Sequence, residues 1–557
     1  MSYLDVLILA CPETIVALAA LVVLALDLAV FRRRPWATRM RFGALAVTIG
    51  CLAALSWLWG TIPVRPLLHS DDVLVLNSLT HLIKIVVLLL TILTAWISIE
   101  SQFTDHVGEY FALLLFGTLG MMFLVSTENL LMIFVALELL SLCLYTMTAF
   151  NKQNVRSAEA ALKYFLFGGM SAAFLLFGFS LVYGLTGEIT LGRIGRALNP
   201  STLQPFNPST LPDPLLIVAL IMVMAGFGFK VAAVPFHLWA PDAYQGAPTP
   251  TAAFIASGSK VASFFILAKL LVAGFAGAGG AAAWRGFTQG WMPLVAILAA
   301  LSIAVGNVAA IAQSSVRRLL AYSAIAHAGY ALVGVLAFGS PTPSASTLQP
   351  FNPSTHHGFT ALIYYVVTYA CTALGAFGVV AIVEGSGSTV QRFNDSTVGP
   401  PDDLRAFAGL GKRAPLLSFC MLIFILSLAG IPPLAGFFGK FYLFAAALSS
   451  GKDLALLWLV VFAIAMTAVS LYYYLQVLKQ IYVAPPPRLD DSTTQRFNDS
   501  TTQQPFNPST LQPITPSWPA QASVVILAAA VVILGLAPNL LVGRVLGMVD
   551  ASRLFLR

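Results

Sequence analysis

Charge is what this chain has least of. Of its 557 residues only 10% are Asp, Glu, Lys or Arg, while 58% are hydrophobic; a soluble domain carries about 25% charged residues. That poverty excludes a soluble enzyme domain, because no stretch is long and polar enough to form one. Cysteine is scarce as well. The five present (Cys11, Cys51, Cys143, Cys371, Cys420) are scattered, mostly inside apolar runs, which excludes a disulfide framework and a metal-ligand spacing. Neither a nucleotide-binding glycine loop nor a nucleophile motif occurs. The net charge of +7 does not point to nucleic acid. The basic residues cluster beside apolar runs (Arg32, Arg33, Arg34, Arg39, Arg41; Arg317, Arg318; Lys412, Arg413), as they do in membrane proteins whose cytoplasmic loops are basic. Met1 to Val30 has no basic start and is followed by arginines, so it reads as a first span and not as a cleaved signal.

What the chain has in abundance is apolar runs of membrane-crossing length. A span needs about 20 such residues. Fourteen are expected, at about 6–30, 42–60, 80–99, 108–125, 129–149, 159–184, 214–240, 251–274, 291–312, 319–339, 358–384, 415–447, 454–482 and 519–545. Five arginines follow the first, which places that loop in the cytoplasm and both termini on the outer, periplasmic side. Spans 4–8 and 9–13 form two sets of five; an odd number per set inverts one set relative to the other. Span 7 carries Pro235 and Pro241, and span 12, about 33 residues long, carries Pro432 and Pro433. Proline removes a backbone donor and breaks a helix. Broken helices at matching positions of two halves mark the transport site of an inverted-repeat transporter. The expected fold is therefore an all-α polytopic membrane protein of about fourteen helices, with helices 7 and 12 discontinuous. It forms one membrane domain, 1–545, holding a first repeat at 108–274, a second at 291–482 and a last span at 519–545. Polar, proline-rich tracts interrupt it. Ser201–Thr210 recurs identically at Ser346–Thr355, with fragments at Gln391–Thr397 and across Asp490–Pro513. Loops 199–211, 341–357, 386–399 and 488–516 are expected to be disordered inserts and are assigned no function.

Against this apolar background the few charges inside spans stand out. A charge at mid-membrane costs roughly 2.5–3.5 kcal/mol on insertion scales, so a chain that keeps several is using them. Glu138 lies near the middle of span 5, where its short side chain cannot reach the surface; the bland reading is a carboxylate bonded to a neighbouring helix. Lys260 is central in span 8, and Ser257, Lys260 and Ser263 share one helix face; the bland reading is serine-assisted packing. Lys230 precedes the Pro235 break, where freed carbonyls could hold a proton-carrying water, and Lys440 follows Pro433 between Gly439 and Phe441. Snorkelling to the headgroups is the alternative for both, and the favoured reading for Lys84 and Lys269 near span ends. Lys163, four residues after Glu159, reads either as a snorkelling residue or as a relay at the cytoplasmic mouth. His237 and His327 are core residues or bridges between lysines along a proton path.

These residues sit in stretches that resemble a known family. Ser126-Thr127-Glu128-Asn129-Leu130 through Leu137-Glu138-Leu139, Ala161-Leu162-Lys163-Tyr164-Phe165, Lys230-Val231 through Pro235-Phe236-His237-Leu238-Trp239-Ala240-Pro241-Asp242-Ala243-Tyr244, Gly246-Ala247-Pro248-Thr249-Pro250 and Arg317-Arg318-Leu319-Leu320-Ala321-Tyr322-Ser323 resemble the antiporter-like membrane subunits of bacterial NADH:quinone oxidoreductase (respiratory complex I) and of Mrp-type cation/proton antiporters. The likeness covers all but the inserts. Within the family it is to subunit N. Lys440 stands in a Gly-Lys-Phe-Tyr setting where subunit M has a glutamate, and the chain ends about twelve residues after span 14, without the lateral helix of subunit L. The resemblance implies a proton-relay set of Glu138, Lys230, Lys260, Lys440 and Lys163, with His237 and His327 secondary. It implies a non-redox translocase subunit of the bacterial inner membrane, coupled to quinone reduction elsewhere. Flavin mononucleotide, iron–sulfur clusters and quinone would belong to partner subunits, with this chain lying between subunits M and K. An Mrp-like antiporter subunit or a membrane-bound hydrogenase subunit is the alternative.

Overall fold

The computed structural model describes residues 10–61, 67–69, 73–198, 214–284, 286–339, 355–385, 402–450, 454–484 and 514–552. Among them thirteen helices are long and apolar enough to cross a membrane: Cys11–Phe31, Trp36–Gly60, Ser78–Glu100, Val107–Ser126, Leu130–Thr148, Val155–Thr186, Pro214–Val231, Thr249–Gly274, Trp291–Ile311, Val316–Gly339, Gly358–Gly385, Leu457–Tyr482 and Trp518–Leu536. One more span is present in two pieces, Pro415–Ala429 and Ala435–Ser449. Taken in chain order that pair is span 12, and the thirteen are spans 1–11, 13 and 14. A further short helix, Asn539–Ser552, follows span 14. The inserts expected in the loops lie outside the described residues, except that 355–357 open the helix of span 11 and 514–516 lead into span 14.

The apolar runs become helices because lipid offers backbone N–H and C=O groups no partner, so the segment must satisfy its own. Three of the spans begin at an asparagine cap. The Asn77 side chain accepts the Thr80 N–H at 2.7 Å, and the Thr80 hydroxyl accepts the Asn77 N–H at 3.0 Å. Asn129 accepts from Leu131 and Met132, and Asn154 from Arg156. Each serves donors that a first turn leaves orphaned. Span alternation puts the loops near Arg32–Pro35, Asn151–Asn154, Gln313–Ser315 and Asp402–Ala414 on one face, here the basic face. The opposite face carries two small antiparallel hairpins, Leu67–His69 with Leu74–Leu76 and Ala281–Ala283 with Gly286–Thr288.

The two sets of five repeat one another in inverted orientation, and the backbone shows it in detail. In the first set the turn between spans 4 and 5 pairs with the segment after span 6, bridging Asn129 to Thr190; Leu130 N–H reaches Ile189 O at 2.8 Å and Leu191 N–H reaches Glu128 O at 2.9 Å. In the second set the turn between spans 9 and 10 pairs with the segment after span 11. It bridges Ser315 to Asp403, with Val316 N–H to Asp402 O at 2.7 Å and Leu404 N–H to Ser314 O at 2.8 Å. The first knot is on the opposite face and the second on the basic face.

Burial locates the centre of the bundle. The apolar windows of spans 8, 10 and 11 are 94% buried, against 22% for span 1 and 33% for spans 6 and 13. The three innermost helices are thus the ones that carry Lys260, His327 and Tyr365. Span 8 is itself interrupted. Its helical turns run Thr249–Ala256 and Gly258–Lys269, joined at Ser257 with φ −110° and ψ −88°. The Ser257-Gly258-Ser259 sequence is a recognised cause of such a kink.

Candidate functional site

The two broken spans end their first halves in the same way. Ala232 has φ +58° three residues before Pro235, and Gly430 has φ +85° three residues before Pro433. The peptide bonds Val234-Pro235 and Pro432-Pro433 are both cis. A left-handed residue stops the helix and leaves its last carbonyls without helical donors.

Those carbonyls receive the lysines. Lys260 Nζ donates to Val231 O at 2.7 Å, the end of the first half of span 7, and to Ala324 O of span 10 at 3.3 Å. Lys440 Nζ donates to Leu428 O at 3.0 Å and Ala429 O at 3.2 Å, the end of the first half of span 12. A helix C-terminus carries roughly half a negative charge, so each ammonium is met by a dipole and by oxygens. Lys440 Nζ also lies 5.0 Å from the centre of the Tyr330 ring. Lys230 uses a different oxygen: its Nζ donates to Ser141 Oγ of span 5 at 2.9 Å. All three lysines are buried.

His327 of span 10 lies within Coulombic range of both Lys260 and Lys440. Its Nδ1 is 2.6 Å from the Tyr365 hydroxyl and its Nε2 3.3 Å from the Tyr474 hydroxyl, which in turn is 2.5 Å from Ser323 Oγ. Sequence reasoning singled out His327 but not Ser141, Tyr365, Tyr474 or Ser323. Hydroxyls inside spans are too common to flag without knowing which helices face each other.

Several expectations are corrected. Glu138 does not sit in the dry centre. It is half-buried, on the same outward stripe of span 5 as Leu131, Val135 and Leu142, which are 55%, 57% and 52% exposed. It lies within Coulombic range of Lys230, but Lys230 gives its hydrogen bond to Ser141, one turn away. His237 lies in the break of span 7, with its Nδ1 unpartnered among the described residues, and meets no lysine there. Lys84 and Lys269 do not snorkel. Lys84 Nζ is 2.6 Å from Glu13 Oε1, with both side chains buried, and Lys269 Nζ is 2.8 Å from Glu128 Oε1. In each case a carboxylate from another segment was waiting, which spacing along one helix does not reveal.

Lys163 forms the expected pair with Glu159 at 2.7 Å and also meets Asp242 Oδ2 at 2.9 Å. Asp242 Oδ1 takes Arg318 Nη1 at 2.6 Å. Together they line a polar cavity of about 200 Å³ on the basic face, with Arg156 and Gln245 beside them. Burial pushes the Asp242 carboxyl up, but hydrogen bonds from Lys163 and Arg318 and their charge outweigh it and hold the group below the usual carboxylate range.

An inverted-repeat helical bundle with two broken spans, and three buried lysines of which two are held by helix ends, defines the class: a membrane protein built like the antiporter-type ion carriers. The model of the family described as NADH:quinone oxidoreductase/Mrp antiporter, transmembrane, matches residues 127–467. The chain is 48% identical to NADH-quinone oxidoreductase subunit N 2 of Acidobacterium capsulatum, over 97% of this chain and 98% of that protein. It superposes with TM-score 0.68 and 31% identity on a chain of respiratory complex I from Thermus thermophilus, covering 96% of this chain and 98% of that one. A chain of the Mrp complex from Dietzia sp. shares the fold, with TM-score 0.75 and 20% identity over 99% of this chain and 98% of its own. This chain belongs to the NADH:quinone oxidoreductase/Mrp antiporter family of membrane subunits.

Proposed function

We infer that this chain is the proton-translocating subunit N of an NADH:quinone oxidoreductase, moving protons while quinone is reduced elsewhere in the complex. One observation carries the reading. Lys230, Lys260 and Lys440 are buried, yet each is held by hydroxyl or carbonyl oxygens and, among the described residues, none by a carboxylate. Burial favours the neutral amine and the oxygens favour the ammonium. These two opposed effects let a proton arrive and leave. Lys84 and Lys269, by contrast, are locked to carboxylates.

The proton moves from Lys230 to Lys260, across His327 and its tyrosine partners, to Lys440 and the opposite face. Glu138 is the switch: its charge steadies the Lys230 ammonium, and its withdrawal releases the proton. At about 7 Å and an effective dielectric of about 20 that interaction is worth roughly 2.4 kcal/mol. Moving one charge through 100 mV takes about 2.3 kcal/mol, so one such step matches one proton. Lys163 serves the basic face, and His237 is a secondary group at the break. The basic face is cytoplasmic and the termini are periplasmic in a bacterial inner membrane. Subunits M and K flank the chain. Flavin, iron–sulfur and quinone chemistry stays in other subunits, which makes this a non-redox translocase component. The single domain with polar inserts follows the same plan.

Purification of the tagged chain tests this reading. It should bring down an NADH-oxidising, quinone-reducing complex that pumps protons when reconstituted in vesicles, and Lys260→Ala should cut pumping in the assembled complex. A complex that exchanges cations for protons without oxidising NADH would replace it with an Mrp-like antiporter.

A further inference from the structure

We propose that Asp242 is the proton-uptake carboxylate at the basic-face mouth, the inverted counterpart of the buried Lys440 in the second repeat. The inference rests on the reading above and adds to it a residue and a half-channel. Three observations on geometry carry it. Asp242 stands seven residues after Pro235, on the short helix Trp239–Gly246 that follows the break of span 7, and Lys440 stands seven residues after Pro433, on the second piece of span 12, Ala435–Ser449. The halves point to opposite faces, so the repeat places one titratable group beyond each break, on opposite sides. Asp242 also lines the polar cavity of about 200 Å³, so water reaches it from the basic face. Finally, its two oxygens are divided between the repeats: Lys163 of span 6 takes one and Arg318 of span 10 takes the other. Movement of one repeat against the other changes the number of cations on Asp242.

The partners themselves can exchange. Lys163 has a second carboxylate at 2.7 Å in Glu159, and Arg318 has a second acceptor at 3.2 Å in Gln245 Oε1. When both turn to those alternatives, Asp242 takes a proton from cavity water; when they return, it gives the proton up to the interior. Only a proton moves, and no other bond is made or broken. The other charges facing the site are Arg156 on span 6 and, beyond Gln245, Asp402 and the Arg317–Glu384 pair.

The test is proton pumping per NADH in the reconstituted complex, with Lys260→Ala measured in parallel. Asp242→Asn keeps the hydrogen-bonding shape but cannot hold a proton. It should lose at least half of the pumping that Lys260→Ala loses, and Asp242→Glu should retain it. Parental pumping by Asp242→Asn beside a defective Lys260→Ala would overturn the proposal and leave the axis reading standing; parental pumping by both would end the axis reading itself. If Asp242→Asn does not assemble, Arg318→Gln probes the same group. Losing one of its two cations lets the Asp242 carboxyl rise toward its ordinary value, so the acid limb of the pumping profile should move to higher pH. A limb that stays in place would overturn the proposal, because a purely structural clasp has no pH profile to shift.

Discussion

A buried ammonium needs oxygen atoms, and at the residue scale the source of those oxygens separates two kinds of lysine here. Lys260 and Lys440 take them from helix ends and Lys230 from a serine, so none of the three is tied to a carboxylate among the described residues. Lys84 and Lys269 take them from Glu13 and Glu128 and serve as fixed ties, span 3 to span 1 and span 8 to the turn after span 4. A buried pair adds little over an apolar pair, but breaking it strands a charge at a cost of about 3–5 kcal/mol. Lys84→Met should therefore lower the thermal unfolding midpoint of the purified complex sharply. The double variant Glu13→Gln with Lys84→Met should recover most of the loss, and neither should change protons pumped per NADH in what assembles. Glu138→Gln is expected to do the reverse: normal assembly and thermal stability, because Glu138 is half-buried and outside ion-pair contact with Lys230, but reduced pumping in vesicles. Normal pumping by that variant would remove Glu138 from the mechanism.

At the scale of elements the two broken spans are built by the same device and differ in one residue. Gly430 turns left-handed without hindrance, whereas Ala232 adopts the same turn with a Cβ, a strain of roughly 1 kcal/mol. A Cβ on Gly430 would stand 3.2 Å from Lys440 Cδ and 3.3 Å from its Nζ. Gly430→Ala is therefore expected to destabilise the complex by about 1 kcal/mol and to slow pumping by displacing the Lys440 ammonium from its carbonyls. Gly184→Ala, where nothing lies within 4 Å, should leave pumping unchanged and raise stability by up to about 1 kcal/mol. Ala232→Gly removes the strain but adds chain entropy to the unfolded state, so its thermal midpoint should hardly move. Span 8 supplies the third interruption, at Ser257, and presents Lys260 to the end of the first half of span 7.

At the scale of the whole molecule, inversion of the repeats decides where each charge goes. It puts the Asn129–Thr190 knot and Lys440 toward one face, and the Ser315–Asp403 knot and Asp242 toward the other. Orientation in the membrane can be read directly. In a background stripped of native cysteines, Gln153→Cys on the basic face should react with a membrane-impermeant maleimide only in inside-out vesicles, and Phe287→Cys only in right-side-out ones. The opposite labelling would reverse the assignment of the basic face to the cytoplasm. Much of this architecture was legible beforehand. Apolar run lengths gave the spans, the arginines between them gave the alternation, and Pro235 and Pro433 gave the breaks. Lys230, Lys260 and Lys440 stood out because a charge in an apolar run is costly, although packing and snorkelling stayed open as readings. The partners of Lys84 and Lys269 were not visible, because Glu13 and Glu128 lie on other segments and long-range contact leaves no local signature.

Hydrophobicity and proline are local properties, so the chain alone settled that this is a fourteen-span bundle broken at two matched places. Which atoms meet depends on how helices far apart in sequence pack and turn. That packing alone placed Glu138 on the outer stripe, gave Lys260 the Val231 carbonyl, set His327 between two tyrosines and gathered Lys163 and Arg318 onto Asp242. Ionic and hydrogen-bonding contacts act over a few ångströms of space, and only a folded bundle defines those distances.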